Sequence, residues 1–401
     1  MIKTNDVKAT GEGRGRPRIF VALEYFVPGF KAGGPLRSIW NLVLALGDQF
    51  EFYIYTRDRD DGDDQAFASV TRDRWQDVGK ARVFYASPSR LSAASLARAI
   101  AGVAPDAIYL NSAFAPMTLR ILTLRRLGVV SQPMIVAPRN ELSPGALSLK
   151  GAKKRAFLSI GRATGLYDRL IWQCSNDAEA AQVRDVFTDA RTVIACDVAT
   201  AIPGEIAGTE PAKEAGRARL VYLSRISPKK NLLTALQAVL TCTGAVTFDI
   251  YGPVQDEPYW NECLRLIQKM PPNIAVSYCG PLRPDQIPEK LASYHYFVLP
   301  TLGENFGHAI HEALSVGLPV LIGSETPWTA VTAMKAGWIV ESDVDAWRKA
   351  IQSAVQMDEA DFRPMAQNAR HVALTGGGLA EAVQANVRLL TSAVNAAGAD
   401  A

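Results

Sequence analysis

Histidine is missing from the first half of this chain. The protein contains four histidines, and all of them lie in the second half: His295, His308, His311 and His371. Histidine is the side chain that most often accepts or donates a proton near neutral pH. A histidine base within residues 1–200 is therefore excluded, and any base there would be aspartate, glutamate or a less usual group.

Paired cysteines and long apolar runs are also missing. The five cysteines form no Cys-x-x-Cys motif, which favours a reduced, cytoplasmic protein whose thiols are packing residues. No apolar run approaches the roughly 18–20 residues that a membrane-spanning helix needs. Residues 1–18 are polar and rich in glycine and arginine, so we predict no secretory signal. Residues 1–17 are expected to form a disordered tail.

Several catalytic motifs are absent as well. The chain has no Walker phosphate loop and no Gly-x-Ser-x-Gly elbow, which argues against the sites that depend on them. The His311-Glu312 pair lacks the second histidine of a His-Glu-x-x-His zinc helix.

The chain does have the length and composition of a two-domain globular protein. Its 401 residues are too many for one ordinary core, and 48% hydrophobic with 21% charged residues is typical of folded domains. Residues 1–200 hold 27 Lys/Arg against 20 Asp/Glu, whereas residues 201–401 hold 16 against 20. Because the first half is the basic one, we expect it to meet an anionic partner, although not a nucleic acid.

Hydrophobic periodicity predicts two βαβ arrays in series. In the first array, a helix over residues 35–46 is predicted to bury Leu36, Ile39, Trp40, Val43 and Leu44, and strands are predicted at 18–26, 52–55, 82–85, 107–110 and 134–137. In the second array, helices are predicted at 232–240 and 259–270, and strands near 219–224, 246–251, 274–279, 296–299, 319–322 and 338–340.

These arrays predict an α/β fold of two Rossmann-like, doubly wound parallel sheets that face each other across a cleft. The first domain is expected over 18–198 and the second over 218–377. An Ala/Gly/Pro-rich stretch at 199–217 is predicted to link them. A helix within 378–401 is expected to pack back toward the first domain.

Two carboxylates follow a predicted strand of the second domain. Strand 296–299 breaks at Pro300 into a loop with Glu304, and the following helix carries Glu312 before Gly317-Leu-Pro319 ends it. The carboxyl ends of strands are where open α/β sheets bind ligands. Carboxylates placed there can accept hydrogen bonds from hydroxyl groups, which are dense in sugars and ribose.

Two loops have the composition of anion sites. Ser224–Asn231 places Arg225 and Lys230 between a strand and a helix N-terminus, a geometry that receives phosphate; a solvated basic loop is the alternative. In the first domain, Gly33, Gly34 and Pro35 also lie before a helix, where glycine lets backbone amides approach an anion. A plain strand-to-helix turn is the alternative for that loop.

Together these motifs resemble glycosyltransferase family 4, whose members have a GT-B fold and a Glu-x7-Glu motif. The resemblance rests on Arg225 and Lys230 and on the stretch from Gly303 to Val320, with weaker support from the Gly33-Gly34 loop and from residues 173–179 and 326–328. It covers roughly residues 18–395.

The resemblance implies a division of labour within a donor site. Arg225 and Lys230 would hold the diphosphate of a nucleotide-diphosphate sugar and stabilise it as a leaving group. Glu312 would bind the ribose hydroxyls. The backbone at Gly33 and Gly34 would contact the phosphates, and the donor sugar would be held by Glu304, Asn305, Phe306 and Gly307. Arg225, Lys230 and Glu304 are the predicted catalytic residues.

The family's reaction implies no metal and no cofactor. The anomeric configuration would be retained, with the leaving phosphate oxygen helping to deprotonate the acceptor, and the missing histidine base in the first half agrees with this. The sequences Asp58-Arg-Asp60 and Asp61-Gly-Asp63 spell the Asp-x-Asp motif of metal-dependent glycosyltransferases. We predict that they form a solvated, turn-rich loop instead.

The acceptor side departs from the family pattern. Many members have a cleft histidine where this chain has Asn111–Phe114, and relatives often have Pro-Asn-Gly where it has Cys196-Asp197-Val198. We predict Asn111, Arg139 and Glu141 as acceptor-side residues.

The sequence thus predicts a cytoplasmic transferase that moves a sugar to a glycan or polyprenyl-diphosphate-linked acceptor, in exopolysaccharide or lipopolysaccharide synthesis. Basic residues within 150–169 predict either contact with an anionic membrane or a solvated helix face. Three alternatives stay open: a GT-B epimerase or hydrolase, a non-catalytic nucleotide-sugar-binding subunit, and a metal-dependent enzyme that uses Asp58 and Asp60.

Overall fold

A computed structural model of the chain describes residues 15–143, 147, 151–200, 211–376 and 378–396. Most of the predicted tail and half of the predicted linker, residues 1–14 and 201–210, lie outside this described part. Within it, Arg16 already contacts the first domain, because its Nη1 donates a hydrogen bond to the Gly47 carbonyl at 2.7 Å.

The N-terminal domain is built on an eight-stranded sheet with the order β3-β4-β2-β1-β5-β6-β7-β8. Its strands are β1 (Arg18–Ala22), β2 (Glu51–Arg57), β3 (Trp75–Val78), β4 (Ala81–Ala86), β5 (Ala107–Asn111), β6 (Met134–Ala137), β7 (Ile171–Cys174) and β8 (Arg191–Ile194). Its helices are α1 (Gly34–Leu46), α2 (Ala93–Val103), α3 (Pro116–Arg126), α4 (Gly151–Ala163) and α5 (Asp177–Val186).

The C-terminal domain has a six-stranded parallel sheet with the order β11-β10-β9-β12-β13-β14. Its strands are β9 (Arg217–Leu223), β10 (Ala245–Tyr251), β11 (Ile274–Gly280), β12 (Tyr296–Leu299), β13 (Val320–Gly323) and β14 (Gly337–Val340). Its helices are α6 (Leu232–Leu240), α7 (Glu257–Ile267), α8 (Ile287–Leu291), α9 (His308–Ser315), α10 (Ala330–Ala333), α11 (Val344–Gln356) and α12 (Glu359–Gly376).

The strands form where the sequence has short, nearly continuous apolar runs. β1, β6, β12 and β13 are buried on both faces, as parallel strands covered by helices on each side must be. The predicted parallel pairing is confirmed with one exception, because β3 pairs antiparallel with β4 at the sheet edge. Strands β3, β7 and β8 were not predicted, since each combines a length of four residues with polar residues that interrupt the apolar run.

Two local predictions were wrong. The first strand ends at Ala22 rather than continuing to Phe26. Helix α1 does bury Leu36, Ile39 and Val43, but Leu44 is 43% exposed and Leu42 takes its place in the core.

The last helix, α13 (Leu379–Ala396), belongs to the N-terminal core although the chain reaches it from the C-terminal domain. Its Leu389, Leu390 and Ala393 pack in the same apolar cluster as Ile19 and Val43. Asn386 Nδ2 also donates to the Cys196 carbonyl at 2.8 Å. In the described part of the chain, no helix is long and apolar enough to cross a membrane.

Candidate active site in the interdomain cleft

A cavity of about 240 Å³ lies between the two domains. It opens where both sheets present the carboxyl ends of their strands, so loops from each domain line it. The structure brings together in this cavity most of the predicted site residues: Gly33, Gly34, Arg139, Arg225, Lys230, Glu304, Asn305, Phe306, Gly307 and Glu312.

Lys230 and Glu304 form a salt bridge in the cavity wall. Lys230 ends a 3₁₀ turn, Pro228–Lys230, that follows β9, and Glu304 lies in the loop after β12. Each side chain is only 12% exposed. Burial raises the pKa of Glu304, but Lys230 and Lys229 more than offset this, so the net pKa is lowered and the carboxylate is ionised.

Arg225 meets the glycine loop of the other domain. A Cβ atom added to Gly33 would lie 3.5 Å from Arg225 Nε, and Gly33 has a φ of +74°, which glycine adopts without strain. Gly33 is also the N-cap of α1 and offers no side-chain cap. The backbone amides at the start of α1 therefore remain available beside the Arg225 guanidinium.

The acidic stretch that packs against this loop is turn-rich and partly exposed as predicted, but the prediction that all of it is solvated was wrong. Asp58 is fully buried and Asp60 is 3% exposed. Asp60 Oδ2 accepts hydrogen bonds from the backbone N–H groups of Phe30, at 2.7 Å, and Lys31, at 3.1 Å. The carboxylate thus shapes the loop that leads to Gly33. Among the described residues, no three His, Cys, Asp or Glu side chains are grouped to hold a metal ion.

Glu312 pairs across the cleft with Arg37 of α1. Both side chains are mostly buried, with 11% and 18% of their surface exposed. Burial raises the pKa of Glu312 and Arg37 only partly offsets this, so the net pKa is raised. Sequence reasoning missed Arg37, although its place one turn after Gly33 and Gly34 puts it on the helix end that faces the cavity.

Asn305 makes a second contact between the domains. Its Nδ2 donates to Glu179 Oε1 at 2.8 Å. Glu179, in the first turn of α5, is 2% exposed and also accepts N–H groups of Asn140, at 2.6 Å, and Ser175, at 2.8 Å. A buried carboxylate with three donors is well satisfied, so it holds the Asn305 loop firmly.

A third contact involves His308, which sequence reasoning also missed. His308 is the first residue of α9, and its Nε2 lies 3.1 Å from Ser38 Oγ of α1. Ser38 Oγ in turn donates to Asp197 Oδ2 at 2.8 Å. Burial lowers the pKa of His308 to about 4, although Asp197 opposes this shift. The ring is therefore neutral near pH 7.

Arg139 anchors Asp197 from the other side. The two side chains form a salt bridge in which each is about nine-tenths buried. Arg139 Nε also donates to Asn111 Oδ1 at 2.7 Å. Burial raises the pKa of Asp197, but the Arg139 guanidinium and the hydrogen bond from Ser38 reverse the shift, so the net pKa is lowered. Two predicted acceptor-side residues, Asn111 and Arg139, thus form one network.

Glu141, the third predicted acceptor-side residue, makes its hydrogen bonds within its own domain. It accepts hydrogen bonds from Ser112 Oγ at 2.6 Å and from the N–H groups of Ala113, at 2.7 Å, and Phe114, at 3.3 Å. It lines a neighbouring pocket that shares Arg225 with the main cavity. The structure therefore places it beside the main cavity rather than in its wall.

The segment predicted to contact a membrane lies away from this cavity. Lys150 and the side chains of Lys153 and Arg155 are outside the described part. Of the rest, Lys154 Nζ lies 5.6 Å from the centre of the Phe114 ring, and Ile160 is 62% exposed. Membrane contact stays a prediction.

In chemical terms, the cavity combines two functions. Its cations and free helix amides suit an anion such as a diphosphate, and its carboxylates suit hydroxyl groups. Both kinds of group lie between two domains, where a bound ligand would be shielded from water.

Comparison with protein families finds a match in the C-terminal domain. Residues 209–372 match the family model described as "Glycosyl transferases group 1". O-antigen chain mannosyltransferase B of Escherichia coli is 28% identical over 171 residues, which are 41% of this chain and 41% of that protein. The match therefore spans less than half of that relative.

Solved structures share the fold over nearly the whole chain. Sucrose-phosphate synthase from Thermosynechococcus elongatus has a TM-score of 0.75 at 17% identity, covering 95% of this chain and 100% of that one. HepE from Anabaena, in complex with UDP and glucose, has a TM-score of 0.66 at 16% identity, covering 94% and 100%. WaaG, a glycosyltransferase involved in lipopolysaccharide biosynthesis, has a TM-score of 0.61 at 14% identity, covering 92% and 99%. The predicted fold, GT-B, is confirmed.

Proposed function

We propose that this protein is a retaining, metal-independent glycosyltransferase of the family 4 kind. It transfers a sugar from a nucleotide-diphosphate donor to a glycan or polyprenyl-diphosphate-linked acceptor. The observation that carries this proposal is the cavity itself, in which Arg225 and Lys230 lie beside Glu304 and Glu312.

The charges suit the departure of a nucleoside diphosphate. As the bond to the sugar breaks, negative charge grows on the phosphate, and Arg225 and Lys230 are placed to stabilise it. A preorganised donor in a dry cleft contributes about 3–4 kcal/mol to such a step. When Lys230 turns from Glu304 to the phosphate, Glu304 becomes free to accept a hydrogen bond from a sugar hydroxyl.

The relatives support the class of substrate. The Escherichia coli relative is named as an O-antigen chain mannosyltransferase, WaaG acts in lipopolysaccharide biosynthesis, and HepE binds UDP-glucose. On this basis we propose a nucleotide-activated hexose as donor and a bacterial surface glycan as the product, made on the cytoplasmic side of the membrane.

The direct test is nucleoside diphosphate release from UDP-glucose and GDP-mannose, with and without lipid-linked glycan acceptors. Glu304→Ala and Arg225→Ala should each lower acceptor-dependent release by about 10²–10³-fold while far-UV circular dichroism stays native. Glu289→Ala and Arg283→Ala, at exposed positions of the same domain, are the matched controls.

Further readouts separate the alternatives. EDTA should leave turnover intact, and NMR of the product should show a retained anomeric configuration. Unchanged turnover in both cleft variants would refute the site assignment. Donor consumption without any acceptor would instead indicate an epimerase or hydrolase, and donor binding without turnover would indicate a binding subunit.

A further inference from the structure

His308 has one ring nitrogen that the protein does not use. Its side chain is 10% exposed and the ring lies in the wall of the cleft cavity. Nε2 contacts Ser38, but Nδ1 is shielded from solvent and has no hydrogen-bond partner among the described residues. Buried polar atoms are nearly always paired, so an unpaired nitrogen at a ligand cavity needs an explanation.

The protons of this network can be assigned from its geometry. Ser38 has one hydroxyl proton, and two groups within reach of it, Asp197 Oδ2 at 2.8 Å and the Gly34 carbonyl at 3.0 Å, can only accept. The serine proton is therefore committed to one of them. Ser38 Oγ must then accept from His308, so Nε2 carries the imidazole proton.

This assignment leaves Nδ1 unprotonated, with a lone pair that can accept a hydrogen bond. The neutral imidazole has one donor and one acceptor nitrogen, and its donor is held by Ser38. Asp197 cannot rotate away to release Ser38, because Arg139 binds its other oxygen. The network thus holds one tautomer of His308, with an acceptor nitrogen on the ring that borders the cavity.

We propose that His308 Nδ1 accepts a hydrogen bond from a hydroxyl group of the donor sugar. Ser38 and Asp197 are positioning residues, because they fix the tautomer and do not contact the sugar themselves. The inference rests on the proposed function and deepens it, because it selects donors that carry a hydroxyl group at the position facing His308.

Two substitutions divide the roles of the two ring nitrogens. In His308→Gln, the side-chain amide can reach Ser38 as Nε2 does, but no acceptor remains at the position of Nδ1. In His308→Asn, the shorter amide places an acceptor near the position of Nδ1 and gives up the contact with Ser38. If His308 only bridges to Ser38, glutamine should preserve donor binding better than asparagine. If Nδ1 binds the sugar, asparagine should preserve donor binding better than glutamine.

The readout is the contribution of the sugar to donor affinity. Calorimetry gives Kd for UDP and UDP-glucose, and for GDP and GDP-mannose. The Kd of the nucleoside diphosphate divided by the Kd of its nucleotide sugar measures how much the sugar adds to the affinity. For the pair that binds, His308→Gln should reduce this ratio about 2- to 10-fold, the usual effect of one neutral hydrogen bond, and leave the Kd of the nucleoside diphosphate unchanged. His308→Asn should retain most of the ratio.

A spectroscopic test addresses the positioning residues. With only four histidines in the chain, ¹⁵N NMR can follow the His308 ring, which the His308→Gln spectrum assigns. The free protein should show protonated Nε2 and unprotonated Nδ1, and the Nδ1 resonance should shift when the donor binds. Ser38→Ala should convert the ring to a mixture of tautomers.

The outcomes distinguish this inference from the function on which it rests. If nucleotide sugars bind and the sugar's contribution is unchanged in His308→Gln, or is better preserved in Gln than in Asn, the role of Nδ1 is refuted while the proposed function stands. If no nucleotide sugar binds the wild-type protein, the proposed function fails, and this inference fails with it.

Discussion

Lys230 and Arg37 show, at the scale of single residues, how a cleft can keep buried charges paired before a ligand arrives. Lys230 binds Glu304, and Arg37 binds Glu312 across the cleft. Leaving such a charge buried and unpaired would cost several kcal/mol. The phosphates of a ligand can pair with the lysine and the arginine, and its hydroxyl groups can bind the two carboxylates. The salt bridges can then separate without leaving a buried charge unpaired.

His295 provides a residue-scale prediction about pH. It is 4% exposed, its Nδ1 accepts the Arg219 N–H at 3.0 Å, and burial lowers its pKa to about 4. The unfolded chain binds this proton near pH 6.5. The stability contributed by neutral His295 is therefore complete above pH 6.5 and is lost as the pH falls toward 4.

Urea unfolding between pH 7 and pH 4 checks this expectation. His295→Gln, whose side chain stays neutral, should flatten the fall in the free energy of unfolding. The slope should not vanish, because His308 and His311 also have a pKa of about 4. His371→Gln, at an exposed position of α12, serves as the control. An identical pH profile for wild type and His295→Gln would contradict the assignment.

At the scale of elements, two helices begin at the cavity with glycine. α1 has Gly33 as its N-cap and α9 has Gly307, at φ +82°, and neither has a side-chain cap. Serine, threonine, aspartate and asparagine are the preferred N-caps, because their side chains accept hydrogen bonds from the first N–H groups of the helix. Here α2, α5 and α7 have such caps, from Ser92, Asn176 and Asp256. Both glycine N-caps, Gly33 and Gly307, line the cavity.

Helix α13 provides the element-scale prediction. Leu389 is fully buried in the core of the N-terminal domain, whereas Leu379, in the same helix, is 44% exposed. Leu389→Ala should lower the free energy of unfolding by about 2–5 kcal/mol, the cost of lost burial plus a cavity. Leu379→Ala should change it by less than about 0.5 kcal/mol. Equal effects in urea unfolding would mean that α13 does not support the N-terminal domain.

At the scale of the whole molecule, three polar contacts span the cleft. Asn305 with Glu179, Arg37 with Glu312, and His308 with Ser38 each join one domain to the other. Polar contacts between domains can be exchanged for water or ligand at small net cost. This arrangement suits domains that separate to admit a ligand and close around it.

Asn305→Asp tests this closure. It replaces the donor that lies 2.8 Å from Glu179 with a second carboxylate, and like charges at that distance repel strongly in a buried site. We expect the domains to move apart, giving a larger radius of gyration in small-angle X-ray scattering at pH 8. Asn305→Ala removes the hydrogen bond without adding charge and should have a smaller effect. A closed profile for Asn305→Asp would show that this contact does not hold the cleft.

Much of this architecture was determined by the sequence alone. Short apolar runs separated by amphipathic helices predict two parallel sheets, because local periodicity reports which faces are buried. The sequence also placed Arg225, Lys230 and Glu304 in loops that follow strands, and Glu312 in the helix after such a loop, because the apolar runs mark where each strand ends. Short strands that contain polar residues, such as β7, gave neither an apolar run nor a periodic pattern long enough to be found.

The partners of these residues were decided only by the tertiary structure. Arg37 and Ser38 lie one turn after the predicted glycine loop, and Asp197 lies where relatives often have Pro-Asn-Gly, but the sequence does not show what these side chains contact. Arg37 meets Glu312, and Ser38 meets His308, from more than 250 positions away along the chain. Local sequence specifies the helices and strands. Contacts between domains depend instead on how two complete sheets are oriented against each other, and short-range sequence patterns do not encode that orientation.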